Sequence, residues 1–174
     1  MRTLELKFSR RSRRGVLAVI VMLLVGAARV EAQAPTVGQV APVITVANLD
    51  GKPVRVGLTA GKRGAVIEFW ATWCELCRAL LPSMRAAQKQ FGDRVDFYGV
   101  NVTVNDPLSH VRRYVAENHP PFVAVYDDHG LAVRAFGALA TSYVVVVDRN
   151  GRIAYTGDGA DQDMPAILSK VLGK

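Results

Sequence analysis

The stretch AVIEFWATWCELC, residues 65–77, holds the only two cysteines of a 174-residue chain, three positions apart and directly behind an apolar run. A nearly continuous apolar segment such as AVIEFW fits a strand covered on both faces. Beyond it the period changes: Leu76, Leu80, Leu81 and Met84 recur at spacings of three and four, interleaved with Arg78, Arg85, Gln88 and Lys89. That pattern predicts an amphipathic helix from Cys74 to Phe91, with Pro82 inside it as a candidate kink. The cysteines therefore fall where a buried strand ends and a helix begins. Their i, i+3 spacing puts both on one side of the helix with Cβ atoms about 5–6 Å apart. A small local adjustment reaches the ~3.5–4.5 Å that a disulfide requires.

A sulfur at a helix start meets unsatisfied backbone N–H groups and the positive end of the helix dipole, both of which favour a thiolate on Cys74. Such a thiolate can attack a partner's disulfide, and Cys77 can then resolve the mixed disulfide by attacking Cys74. As a structural cross-link the pair would be poor, because closing so short a loop removes little entropy from the unfolded chain. A fold of this size can bury roughly two thirds of its unfolded surface without staples. The same two residues also fit half of a zinc or copper site, a docking module without turnover, or an inert bridge. Zinc would need two further ligands, and the histidines are His110, His119 and His129. His129 stands beside Gly130 and His119 precedes two prolines, which reads as surface loop.

Upstream, MRTLELKFSRRSRR is a basic region, GVLAVIVMLLVGAA an apolar stretch of fourteen, and RVEAQA supplies small residues. This is the grammar of a cleaved signal peptide over residues 1–32, with cleavage expected after Ala32. Fourteen apolar residues fall short of the ~20 that span a bilayer, so a membrane association is expected only if the leader is retained as an anchor. SRRGVLA, residues 12–18, also fits a twin-arginine signal. The implied location is periplasmic or secreted, where two thiols can oxidise. Charge supports the division. The chain's +7 is concentrated in the leader, with seven Lys/Arg against two Asp/Glu, whereas residues 33–174 hold fifteen against thirteen, a net of +2. That balance gives no electrostatic case for a nucleic-acid partner.

Residues 33–38 read as a short tether, and 39–174 as one domain. APVITVANLDGKPVRV (41–56) alternates around Asp50-Gly51 as a hairpin. VDFYGVNV (95–102) is a strand, and Asn105-Asp106-Pro107 places a cap residue before a proline at the first position of a helix through His110 and Tyr114. FVAVYDD and a short helical piece around LAVRAFG precede SYVVVVDRNGRIAYTG, two strands about Asn150-Gly151. MPAILSKVLG closes as a helix. The order, hairpin, strand, helix, strand, helix, strand, strand, helix, predicts an α/β fold with a mixed sheet and helices on both faces.

FWATWCELC followed by Pro82 resembles the active-site segment of the thioredoxin superfamily, most closely the exported TlpA-like thiol-disulfide oxidoreductases, and the resemblance runs from about residue 38 to the C-terminus. It implies a thioredoxin-like fold with Cys74 as nucleophile, Cys77 as resolving thiol, cysteine-containing client proteins, an electron donor outside the cytoplasm and no organic cofactor. Glu68, six residues before Cys74, matches the family's buried acid that exchanges a proton with the resolving thiol. An acid in an apolar run is costly to bury, and the raised pKa that results suits acid–base work near neutrality. The alternative is a strand-end carboxylate at the surface or one paired with lysine. Trp73 is expected to wall the nucleophile and touch the partner, and Trp70 to lie in the core. Glu75 and Leu76 tune the couple. A negative charge beside Cys74 disfavours its thiolate, which points to a reductant.

The family's cis-proline is absent. Counting without a gap, its position falls on Ser142, preceded by Thr141, and a bond before a non-proline residue is expected to be trans. Thr141 and Ser142 are the expected substrate-binding positions on that loop, with Ala140 as the alternative equivalent. Copper-handling relatives also lack this proline, but they place a histidine on the loop, and ALATSYV has none. A peroxidase site would need a threonine three residues before the cysteine, where this chain has Ala71.

Overall fold

The computed structural model describes residues 34–57 and 63–173, so the leader expected over 1–32 lies outside the described residues. Seven strands are described: β1 (Ile44–Asn48), β2 (Pro53–Val56), β3 (Gly64–Trp70), β4 (Val95–Asn101), β5 (Val123–Tyr126), β6 (Tyr143–Val147) and β7 (Ile153–Gly157). The described helices are α1 (Glu75–Phe91), α2 (Leu108–Asn118), α3 (Leu131–Phe136) and α4 (Met164–Leu172). The strands form one mixed sheet in the order β2-β1-β5-β4-β3-β6-β7. At its centre β3, β4 and β5 run parallel, flanked by β1 and β6, each antiparallel to its neighbour.

Side-chain alternation along β3 sorts the core into layers. Val66 packs with Leu80 and Met84 of α1 and Leu168 of α4, and Trp70, on the same face, packs with Val111 of α2. Ala65, Ile67 and Phe69 face the other way, towards Ala132 and Phe136 of α3. Two successive crossovers in one direction, β3-α1-β4 and β4-α2-β5, place α1 and α2 on one face, as right-handed connections require. Every residue of β3 is buried, which is why its sequence reads as an unbroken apolar run around Glu68.

The hairpin is closed by Asn48, whose Oδ1 accepts from the backbone N–H of Asp50 (3.0 Å) and Lys52 (2.8 Å), with Gly51 at φ +82°. Left-handed backbone at a turn of this kind is where glycine is needed. Two details differ from the sequence reading. FVAVYDD, to which no element was assigned, supplies β5, hydrogen-bonded between β4 and β1. The helix after Asn105-Asp106 starts one residue later than expected. Pro107 is its extended N-cap residue (φ −59°, ψ 144°), with no side-chain cap, and the Asp106 side chain is engaged elsewhere.

Candidate active site

Three loops meet at one end of the sheet: the turn from Trp70 to Cys74, the β4–α2 loop and the approach to β6. Because β6 runs antiparallel to β3, its first residues lie beside the last residues of β3, with Tyr143 opposite Phe69.

Cys74 is the N-cap residue of α1, with φ −78° and ψ 108°. Its Sγ accepts from the backbone N–H of Cys77 at 3.0 Å, the place a capping oxygen would ordinarily fill. Its own N–H donates to Ala71 O at 3.2 Å, closing a tight turn out of the strand. Cys74 and Cys77 are joined, with an S–S distance of 2.10 Å and a Cα separation of 5.3 Å. They are nearly covered, 3 % and 4 % exposed, while Trp73 and Leu76 stand half-exposed beside them. The Trp73 indole N–H donates to Val104 O at 2.8 Å, which fixes the ring against the β4–α2 loop.

Glu68 is buried on the face of β3 that α1 covers, which removes the alternative of a strand-end carboxylate at the surface. Neither carboxyl oxygen has a hydrogen-bond partner among the described residues. Beside it in the sheet stand Gly99 of β4 and Val144 of β6. The space a side chain at Gly99 would take is filled by the Phe122 ring, itself packed at a tilt against Trp70 with centroids 5.4 Å apart. In these apolar surroundings burial alone pushes the Glu68 pKa up to about 8.

Glu75, expected to tune the couple, points away. Its side chain is 89 % exposed and lies 3.7 Å from Arg78, a solvated pair whose field at the sulfurs is weak.

Thr141 and Ala140 line an apolar groove of about 530 Å³ together with Trp73, Val104 and Leu139. Ser142, expected beside Thr141 at the substrate surface, is instead fully buried beneath it. Its N–H donates to Phe69 O (2.8 Å), its hydroxyl to Gly159 O (2.9 Å), and its carbonyl accepts from Gln162 Nε2 (3.2 Å). With these contacts it holds φ +62°, unusual for a residue with a Cβ, and the bond before it is trans as expected.

A cluster that sequence reasoning missed lies under the turn that leads into Cys74. The Asp106 carboxylate accepts from Thr72 N (2.7 Å), Thr72 Oγ1 (2.7 Å) and Asn101 Nδ2 (2.8 Å). The only available signal was the Asp-Pro pair, which reads equally as a helix cap. Among the described residues no three of His, Cys, Asp and Glu come together as metal ligands would, and no helix is long and apolar enough to cross a membrane.

Comparison with known proteins places this geometry. Thiol-disulfide oxidoreductase ResA of Geobacillus thermodenitrificans is 26 % identical over 144 residues, covering 81 % of each chain. A thiol:disulfide interchange protein DsbE homolog of Paracoccus denitrificans is 29 % identical over 125 residues, 71 % of this chain and 66 % of the relative. The solved thioredoxin domain of a thiol-disulfide oxidoreductase from Bacteroides vulgatus superposes with a TM-score of 0.69 at 22 % identity, over 79 % of this chain and 99 % of that one. The match to the Redoxin family runs from residue 36 to residue 172, across the four helices and seven strands of the described residues, and with it the chain belongs to the Redoxin family within the thioredoxin superfamily.

Proposed function

We propose that this protein is an extracytoplasmic thiol-disulfide oxidoreductase that exchanges electrons with protein cysteines through Cys74 and Cys77. The observation that carries the reading is the sulfur of Cys74 in the N-cap position of α1, with Cys77 bonded to it one turn behind. The reduced pair attacks through the Cys74 thiolate, which displaces one sulfur of a client disulfide and forms a mixed disulfide. Cys77 then loses its proton and attacks Cys74 Sγ. The second client sulfur leaves as a thiol, and two electrons have passed from the pair to the client. Glu68 takes the Cys77 proton in this direction and returns it when an upstream dithiol reduces the pair. A carboxyl group with a pKa of about 8 lies close enough to an ordinary thiol to pass a proton either way. Trp73 and Thr141 contact the client, and the basic and apolar leader carries the chain out of the cytoplasm.

The test is trapping. A Cys77→Ser variant retains the attacking sulfur and lacks the resolving one, so it accumulates client proteins in mixed disulfides that dithiothreitol releases. Cys74→Ser traps none, and the unaltered protein reduces insulin at a rate that depends on both cysteines. Equal recovery from both variants, or stoichiometric zinc or copper in the reduced protein without insulin reduction, would remove the assignment.

A further inference from the structure

Buried carboxylates in this domain have visible tasks, and Asp106 is the one placed against the catalytic turn. It is 1 % exposed, and no cation pairs with it among the described residues. All three of its side-chain partners are donors, and two of them belong to Thr72, two residues ahead of Cys74. The loop that presents it is held in an unusual shape. Thr103 and Asn105 both lie in the left-handed region (φ +62° and +51°), Asn101 Oδ1 accepts from Thr103 N at 2.9 Å, and Tyr126 OH donates to Asp106 O at 3.1 Å. Non-glycine residues hold that backbone only where their surroundings over-determine it.

We propose that the buried Asp106 carboxylate, rather than the exposed Glu75, is the positioning residue that sets the redox poise of the Cys74–Cys77 pair, by holding a fixed negative charge against the turn that leads into Cys74. The inference rests on Cys74 being the attacking sulfur. Two electrons and two protons convert the disulfide to the dithiol, taken from a second dithiol that becomes a disulfide. The oxidised pair is neutral, whereas the reduced pair gains stability whenever Cys74 is held as a thiolate. A nearby anion withholds that gain, so the pair gives up its electrons more readily. The low-dielectric surroundings of Asp106 leave its field less screened than that of Glu75. Other charged or titratable groups around the turn are Glu68 of β3, Arg78 of α1, Tyr126 of β5, the buried Asp127 that follows it, whose carboxylate faces α3 and accepts from Leu131 N and Val133 N, and, sharing a cleft of about 170 Å³ with Thr72, His110, Arg113, Tyr114 and Glu117 of α2.

Asp106→Asn separates charge from geometry. Its carboxamide oxygen can accept from Thr72 N and Asn101 Nδ2, while its NH₂ donates to a rotated Thr72 hydroxyl, so each contact survives and only the charge is lost. Equilibrated with glutathione at neutral pH, the variant is expected to favour the reduced pair about tenfold more than the unaltered protein, a rise of about 30 mV for a two-electron couple. Glu75→Gln is expected to shift the same equilibrium less than about twofold, and Asp106→Glu, which keeps the charge, to stay nearer the unaltered protein than Asp106→Asn. Should Asp106→Asn fail to fold, Asp106→Ser, neutral and smaller, serves for the same comparison. An unshifted equilibrium in a folded neutral variant, or a larger shift from Glu75→Gln, overturns the proposal. Because the equilibrium is read without a protein client, its outcome is independent of whether the trapping experiment succeeds.

Discussion

Glu68 is a carboxyl group with apolar neighbours on every side of its strand position, and its protonation ties stability to pH. Unfolded, it releases its proton near the ordinary value of 4.5, whereas in the fold it keeps the proton to about 8. The native state thus binds more protons than the unfolded state between those values, and stability falls as pH rises through that window, then levels off. A displacement of this size corresponds to a loss on the order of 4–5 kcal/mol across the window. Glu68→Gln is expected to abolish that slope, so urea midpoints of the oxidised proteins converge at pH 4 and diverge at pH 8, with the variant the more stable. The same substitution should slow insulin reduction by at least about 10²-fold, the low end for loss of a general acid–base group, while client trapping by Cys74 continues in the Cys77→Ser background. Parallel pH slopes for the two proteins would show that Glu68 is not held protonated. This residue was legible from the sequence because a lone acid inside AVIEFW is conspicuous. Ser142 was not. Its burial depends on Gly159 and Gln162, seventeen and twenty residues away, and nothing local to ALATSYV announces them.

At the level of elements, the 3.6-residue repeat found the buried stripe of α1 at Leu80 and Met84 but counted Leu76 with them, which the structure leaves outside it. Leu80 and Met84 are fully buried between the sheet and α4, while Leu76 lies half-exposed on the side of the cysteines. Leu80→Ala should cost about 2–5 kcal/mol, transfer and cavity together. Leu76→Ala should cost less than about 0.5 kcal/mol, as surface changes do. Urea unfolding of the oxidised proteins reads both, and similar costs at the two positions would mean that the helix is rotated from the face assigned here. Periodicity served less well where an element is short. β5 pairs over only four residues and has one exposed valine, Val123, so FVAVYDD offers neither a full alternation nor a continuous buried run. The start of α2 was misplaced for a different reason. Asp106 has the composition of a cap, but its carboxylate is held by Thr72, thirty-four residues earlier in the chain, and that contact exists only once β3 and β4 lie side by side.

At the scale of the molecule, the site is a product of strand order. β3 and β4 deliver their carboxyl ends to one edge, and β6, reversed, brings its amino end there. The cysteines, the β4–α2 loop and the α3–β6 loop therefore come together although they are distant in sequence. Ligands commonly bind at such ends of parallel strands. The groove between these loops is walled by Trp73, Val104 and Leu139, and Leu139 is 99 % exposed, a large apolar side chain with no packing duty in the chain itself. Its replacement should leave the fold intact, and its effect should depend on the size of the disulfide presented. A small aromatic disulfide reaches the sulfurs without touching the α3–β6 loop, whereas a folded or extended client has to lie across it. Leu139→Asp is accordingly expected to raise KM for insulin roughly tenfold, about 1.4 kcal/mol of lost contact and added desolvation, with kcat little changed. Reduction of the small disulfide and the thermal midpoint should match those of the unaltered protein. Equal losses on both substrates would place the defect in the sulfur chemistry instead, and no loss on insulin would mean that clients approach Cys74 from the α2 side of Trp73.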